Sequence, residues 1–149
     1  KAAGADVTFV GDEPDAEYQS RISHLPARSD CSADEASRQD FDALIVPGDW
    51  AADKMRVDST FLSLIQQQHQ AGRLLIGIAE GQSVLISAQV LKGRRVACLP
   101  EMVRDVANSG AQITDEPVSL DAALMTARST DDLPELMTSI IGYFEGTES

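Results

Sequence analysis

The chain has 149 residues, 43% of them hydrophobic, enough to bury the core of one ordinary domain. Its 24 acidic and 12 basic residues leave a formal net charge of −12, and a field of that sign repels phosphate backbones and anionic headgroups, so neither nucleic acid nor a membrane surface is an expected partner. Two cysteines make no disulfide framework, no signal-like segment opens the chain and no apolar run approaches the roughly 20 residues that span a bilayer, so a cytoplasmic location is expected.

Lys1-Ala2-Ala3-Gly4 reads as the tail of a helix capped at Gly4 and entering a strand over Val7 to Val10. In doubly wound sheets the first strand usually lies inside the sheet. This beginning therefore predicts one domain, 1–149, that lacks the usual first strand and most of the first helix, with a longer polypeptide or a partner segment supplying them. Gly11 to Asp40 is polar, rich in Asp and Ser and aperiodic, and reads as loop with at most one edge strand, not as a separate domain. Cys31 within it is expected to be an incidental exposed thiol, and His24 has no ligand-like neighbour.

Short apolar runs then alternate with amphipathic stretches, the pattern of strands feeding helices in an α/β sheet. Ala43 to Val46, Leu74 to Ile78 and Arg95 to Leu99 are the strands. Phe61, Leu64 and Ile65 mark a helix ending before Gly72, and Val84, Leu85, Ala88 and Leu91 mark another ending before Gly93, both glycines standing where a left-handed cap is wanted. His69, near the end of the first of these, is placed where an imidazolium complements the helix dipole. Two apolar stretches flanking Asp121 and Ala122 predict a small hairpin or a strand extension. Leu133, Leu136, Met137, Ile140, Ile141 and Phe144 recur at helical spacing and form the last helix, with Asp132 and Glu135 at capping-box spacing and Pro134 tolerated in the first turn.

Four segments, in order, resemble the ThiJ/PfpI family. They are Phe41-Asp42-Ala43-Leu44-Ile45-Val46-Pro47-Gly48 with Ala51, Asp53, Lys54, Met55 and Arg56; Ala71 to Gly81; Val90 to Val96; and Thr126 to Pro134. The resemblance covers roughly residues 1 to 145 and implies a three-layer, flavodoxin-like α/β sandwich with a mostly parallel central sheet. It also implies a cysteine nucleophile at a strand-to-helix elbow, a neighbouring His, an assisting Glu and a Gly-Gly turn that aims an oxyanion-stabilising N–H. Here Ala79 takes the nucleophile's place, Glu80 that of the His, Asp49 that of the second glycine, and the Glu-bearing segment is absent.

The elbow has a physical logic of its own. An apolar strand, then Ala79-Glu80-Gly81, then a helical pattern describes a sharp turn that exposes a side chain above the sheet, with N–H groups of the new helix beside it. A thiol there gains from the helix dipole, and nearby amides stabilise an oxyanion. Two carboxylates at the same spot oppose both effects. The degenerate site is thus Gly48, Asp49, Ala79 and Glu80, and these four with Gly81 are the binding residues expected; Glu80 should lie at a helix N-terminus near Gly48 and Asp49.

Other chemistry is weaker. Cys98, at a strand end before Pro100, is either a displaced nucleophile or a small buried hydrophobe, the second being favoured. Glu80 with Asp49 lacks the third ligand a metal wants, and the Gly77/Gly81 pair has neither P-loop nor Rossmann spacing, so no metal or cofactor is expected. Arg94, Arg95 and Arg104 read as solvated surface. The expected function is a catalytically silent domain acting as a binding, stability or oligomerisation module, with a homo-oligomer, the rest of a longer polypeptide or a small molecule as partner. The alternative is a cysteine hydrolase of the intracellular protease, amidase or deglycase type whose nucleophile has been changed to Ala79.

Overall fold

The computed structural model describes residues 3–20 and 23–147. The chain divides into two compact units, 1–40 and 41–149.

In the first unit, β1 (Val10–Gly11) pairs in parallel with β4 (Cys31–Ser32), and β2 (Glu17–Gln19) forms an antiparallel hairpin with β3 (Pro26–Arg28). A one-turn helix, α1 (Ala33–Ala36), follows β4, its Ser32 and Glu35 making a reciprocal capping box. This corrects the reading of Gly11 to Asp40 as loop with one edge strand: the pairing is carried by two- and three-residue strands, too short to leave an alternating pattern. The strand expected over Val7 to Val10 is also shorter, because the Phe9 N–H donates to the Asp30 carboxylate at 2.7 Å instead of joining a ladder. Gly4 has the positive φ of a cap, 85°, while the helix tail at Lys1 and Ala2 lies outside the described residues.

The second unit is built on a four-stranded sheet of β5 (Ala43–Val46), β6 (Leu74–Ile78), β9 (Val118–Asp121) and β10 (Leu124–Ala127), ordered β5-β6-β10-β9. The first three run parallel, and β9 returns antiparallel through the turn at Ala122, whose φ is 53°. Helices α2 (Trp50–Met55), α3 (Ser59–Gln70), α4 (Gly81–Ser87) and α5 (Val103–Asn108) and the long α6 (Leu133–Thr147) complete it, with β7 (Arg95–Val96) and β8 (Gln112–Ile113) as a small parallel pair.

Alternation along β6 shows why three layers form. Leu75 joins Ala52, Ile65, Val84, Leu85 and Val106 from the four shorter helices. Leu74, Ile76 and Ile78 join Met125, Ala127 and Leu136, under α6. A strand apolar at consecutive positions is one covered on both faces. The architecture is the three-layer flavodoxin-like sandwich with a mostly parallel sheet, as expected.

Three boundaries are corrected. The strand from Arg95 stops at Val96, because the Ala97 N–H donates to the Thr126 hydroxyl at 3.0 Å and the ladder cannot continue. Helix α4 ends at Ser87, not before Gly93: Gln89 takes the left-handed φ of 59° and the Val90 N–H reaches back to Leu85 O, closing a Schellman turn. The capping box of the last helix is Ser129–Asp132, not Asp132–Glu135; the Asp132 carboxylate accepts from the Ser129 N–H at 3.0 Å across a 3-10 turn that precedes α6. Gly72 caps as expected, with φ 67°.

Candidate functional site

β6 delivers the chain to Ala79, which sits almost fully buried at φ 50°, a left-handed conformation that costs an alanine of order 1 kcal/mol. Its N–H donates to Ala127 O at 3.1 Å, tying the elbow to the end of β10. Glu80 is the N-cap of α4, yet its side chain caps none of that helix's amides. Oε2 instead accepts the Asp49 N–H at 3.1 Å.

The opposing loop is shaped for this contact. Asp49 has φ 66° and ψ −160°, a region that is essentially glycine's own. A Cβ on Gly48 would lie 2.5 Å from Oε2 of Glu80 and 2.9 Å from its backbone N, so only a bare glycine admits the elbow. A Cβ on Gly81 would collide with Val46 O and Pro47 O. The five residues Gly48, Asp49, Ala79, Glu80 and Gly81 therefore converge, with Glu80 and Asp49 both exposed to solvent.

Gln82, invisible to motif reasoning, anchors the elbow from below. Completely buried, its amide nitrogen donates to Ala97 O at 2.6 Å and Ala127 O at 3.0 Å, while its Oε1 and the Ser83 hydroxyl have no partner among the described residues. The one available signal is a glutamine just before the apolar run Val84-Leu85-Ile86 of a short helix.

The remaining candidates lie elsewhere. Cys98 is 5% exposed and packed among Val96, Met102 and Val106, and burial pushes its thiol up. Cys31 is not exposed as expected but 7% accessible, in β4 just before α1; burial first, then the Glu35 and Asp30 carboxylates, raise its pKa. His69 lies in the last turn of α3, as expected, and burial, then Arg94, lower its pKa, which disfavours the imidazolium there. His24 sits in the turn between β2 and β3 with φ 55°. Arg95 and Arg104 are exposed, as expected, and Arg94 is half-buried; Arg94 pairs with Asp121 at 4.0 Å, and the Arg95 N–H and guanidinium donate to the Asp121 carboxylate and Leu120 O. Among the described residues no cluster of His, Cys, Asp and Glu could hold a metal ion, and no helix is long and apolar enough to cross a membrane.

Residues 1–142 match the DJ-1/PfpI family. The chain is 31% identical over 135 residues to protein/nucleic acid deglycase 2 of Escherichia coli (strain K12), covering 90% of this chain and 78% of that protein. It is 30% identical over 146 residues to general stress protein 18 of Bacillus subtilis (strain 168), covering 97% and 85% respectively. A crystal structure of a two-domain protein with DJ-1/ThiJ/PfpI-like and ferritin-like domains from Anabaena variabilis superposes with a TM-score of 0.90 at 29% identity; the match takes in 97% of this chain and 43% of that one.

Proposed function

The chain belongs to the DJ-1/PfpI family, and from that premise we propose that its elbow site is catalytically silent and that the domain serves as a binding, stability or oligomerisation module. The observation that carries this reading is the Glu80 carboxylate on the Asp49 amide, beside a methyl group where the resemblance places a thiol. An acyl-transfer site needs a nucleophile, a base and a free donor for the oxyanion. Ala79 supplies no nucleophile, Glu80 is no imidazole, and the donor is already bonded to an anion. Cys98 is no substitute, since burial keeps its thiol protonated. A homo-oligomer, or attachment within a longer polypeptide, fits the module reading; the Anabaena protein is a precedent for attachment.

The second reading, a hydrolase of the deglycase or intracellular protease type with its nucleophile changed to Ala79, is favoured by the kept elbow geometry and by the likeness to deglycase 2. An assay of the purified chain for peptidase, amidase and glyoxal-adduct hydrolase turnover tests the silent reading, which expects none. Steady turnover that alkylation of Cys98 abolishes would overturn it.

A further inference from the structure

We propose that Glu80 is an autoinhibitory plug: its carboxylate fills, from within the chain, the space in front of the Asp49 N–H that a small carboxylate or a developing oxyanion would otherwise occupy. Three observations carry this. Glu80 caps no amide of its own helix, where the Gln82 and Ser83 N–H groups donate to Ala79 O and Glu80 O, and its side chain reaches a loop 31 residues away. Gly48 is bare where Oε2 approaches, so the loop backbone closes around the carboxylate and not around a side chain of its own. Asp49 holds a conformation that sets its N–H toward that carboxylate, while its own side chain caps nothing in α2.

A tethered carboxylate acts at a far higher effective concentration than any free one, so millimolar metabolites do not displace it. The plug is distinct from a charge effect. A negative charge beside the elbow raises the pKa of a thiol placed there whether or not it fills the amide; a plug acts by filling it. The inference rests on the silent reading only in supposing that the amide faces the reacting space, and it is tested without native turnover.

The variants Glu80→Ala and Glu80→Gln separate the two effects, because the Gln carbonyl accepts the same N–H without charge. In an Ala79→Cys background each is mixed with p-nitrophenyl acetate. The introduced thiolate attacks the acetyl carbon, a C–S bond forms, the ester C–O bond breaks and p-nitrophenolate leaves with the electron pair. With Glu80→Ala the acylation rate at saturating pH is expected to rise at least tenfold, within the span that one oxyanion donor supplies, and with Glu80→Gln to stay near the parent's. Equal acceleration in both, or none in either, overturns the plug. As a second measurement, with Ala79 kept, the Asp49 amide resonance of Glu80→Ala is titrated with sodium acetate against sodium chloride. A saturable acetate-specific shift, absent from the unsubstituted chain and from Glu80→Gln, is expected; a folded Glu80→Ala chain whose Asp49 amide ignores acetate overturns it. Native turnover in the unsubstituted chain would sink the silent reading while leaving these two results to stand or fall alone.

Discussion

The backbone N–H of Asp49 donates to Oε2 of Glu80 at 3.1 Å, joining two loops 31 positions apart through a residue whose φ and ψ are essentially glycine's own. Holding a non-glycine there costs of order 1–3 kcal/mol. Asp49→Gly keeps the N–H, and so the bond to Glu80, and removes the strain; greater freedom of the unfolded chain takes back about 0.5–1 kcal/mol. The variant is expected to be about 1 kcal/mol more stable in urea denaturation. A less stable variant would mean that the Asp49 carboxylate holds the loop through a contact of its own.

Gly81 and Gly77 make a paired test of the elbow's packing. A methyl at Gly81 meets backbone, Val46 O and Pro47 O, which cannot move without shifting β5 against α4. At Gly77 it meets the tip of Leu85 at 2.6 Å, which can rotate aside. Gly81→Ala is expected to cost about 3 kcal/mol and Gly77→Ala about 1 kcal/mol by the same denaturation measurement. The reverse order would place the tight approach elsewhere.

These residues also show what was legible beforehand. β5 and β6 could be read because both are short apolar runs closed by Pro-Gly or Ala-Glu-Gly, and α3 because Phe61, Leu64, Ile65 and Gly72 mark its face and end. The convergence of Gly48, Asp49, Ala79, Glu80 and Gly81 was readable through the resemblance. What the sequence hid were interactions of side chains with distant backbone: Gln82 on Ala97 and Ala127, Thr126 on Ala97, Asp30 on Phe9. Each ends a strand or anchors a helix without leaving a periodic trace. Cys31 misled for the same reason, since a polar neighbourhood in sequence is no measure of burial in space.

Stability should be highest in a window near neutral pH. His69 has a folded pKa below its unfolded value of about 6.5. Below that pH the unfolded chain binds the extra proton, so this contribution is full above about 6.5 and is lost as pH falls toward the folded pKa. Cys98 and Cys31 have raised folded pKa values. Above about 8.5 their unfolded thiols ionise first, so their contribution is present below that value and is lost as pH rises through the folded pKa. Urea midpoints across the range are expected to show both limbs. His69→Gln should flatten the slope just below about pH 6.5, and Cys98→Ala should reduce the alkaline one. An unchanged acid limb in His69→Gln would assign it to the carboxylates.

Restoring a thiol tests how deep the silence runs. In Ala79→Cys the new side chain stands at the elbow, where φ is 50° and the start of α4 favours a thiolate, but Glu80 and Asp49 flank it. Their charges raise the thiol pKa, and the Asp49 N–H stays bonded to a carboxylate. The single variant is therefore expected to alkylate slowly at neutral pH and to give no ester turnover. Adding Glu80→His both frees that N–H and supplies a partner that can carry positive charge; adding Asp49→Gly removes the last carboxylate and relaxes the turn. The three changes together should exceed the product of their separate effects, because a nucleophile, its base and its oxyanion donor act as one unit. An iodoacetamide pH-rate profile on the single and triple variants, followed by ester turnover, decides the matter. A single variant with a thiol pKa well below about 8.5 and measurable turnover would show that only the nucleophile was missing, and would make the hydrolase reading the right one.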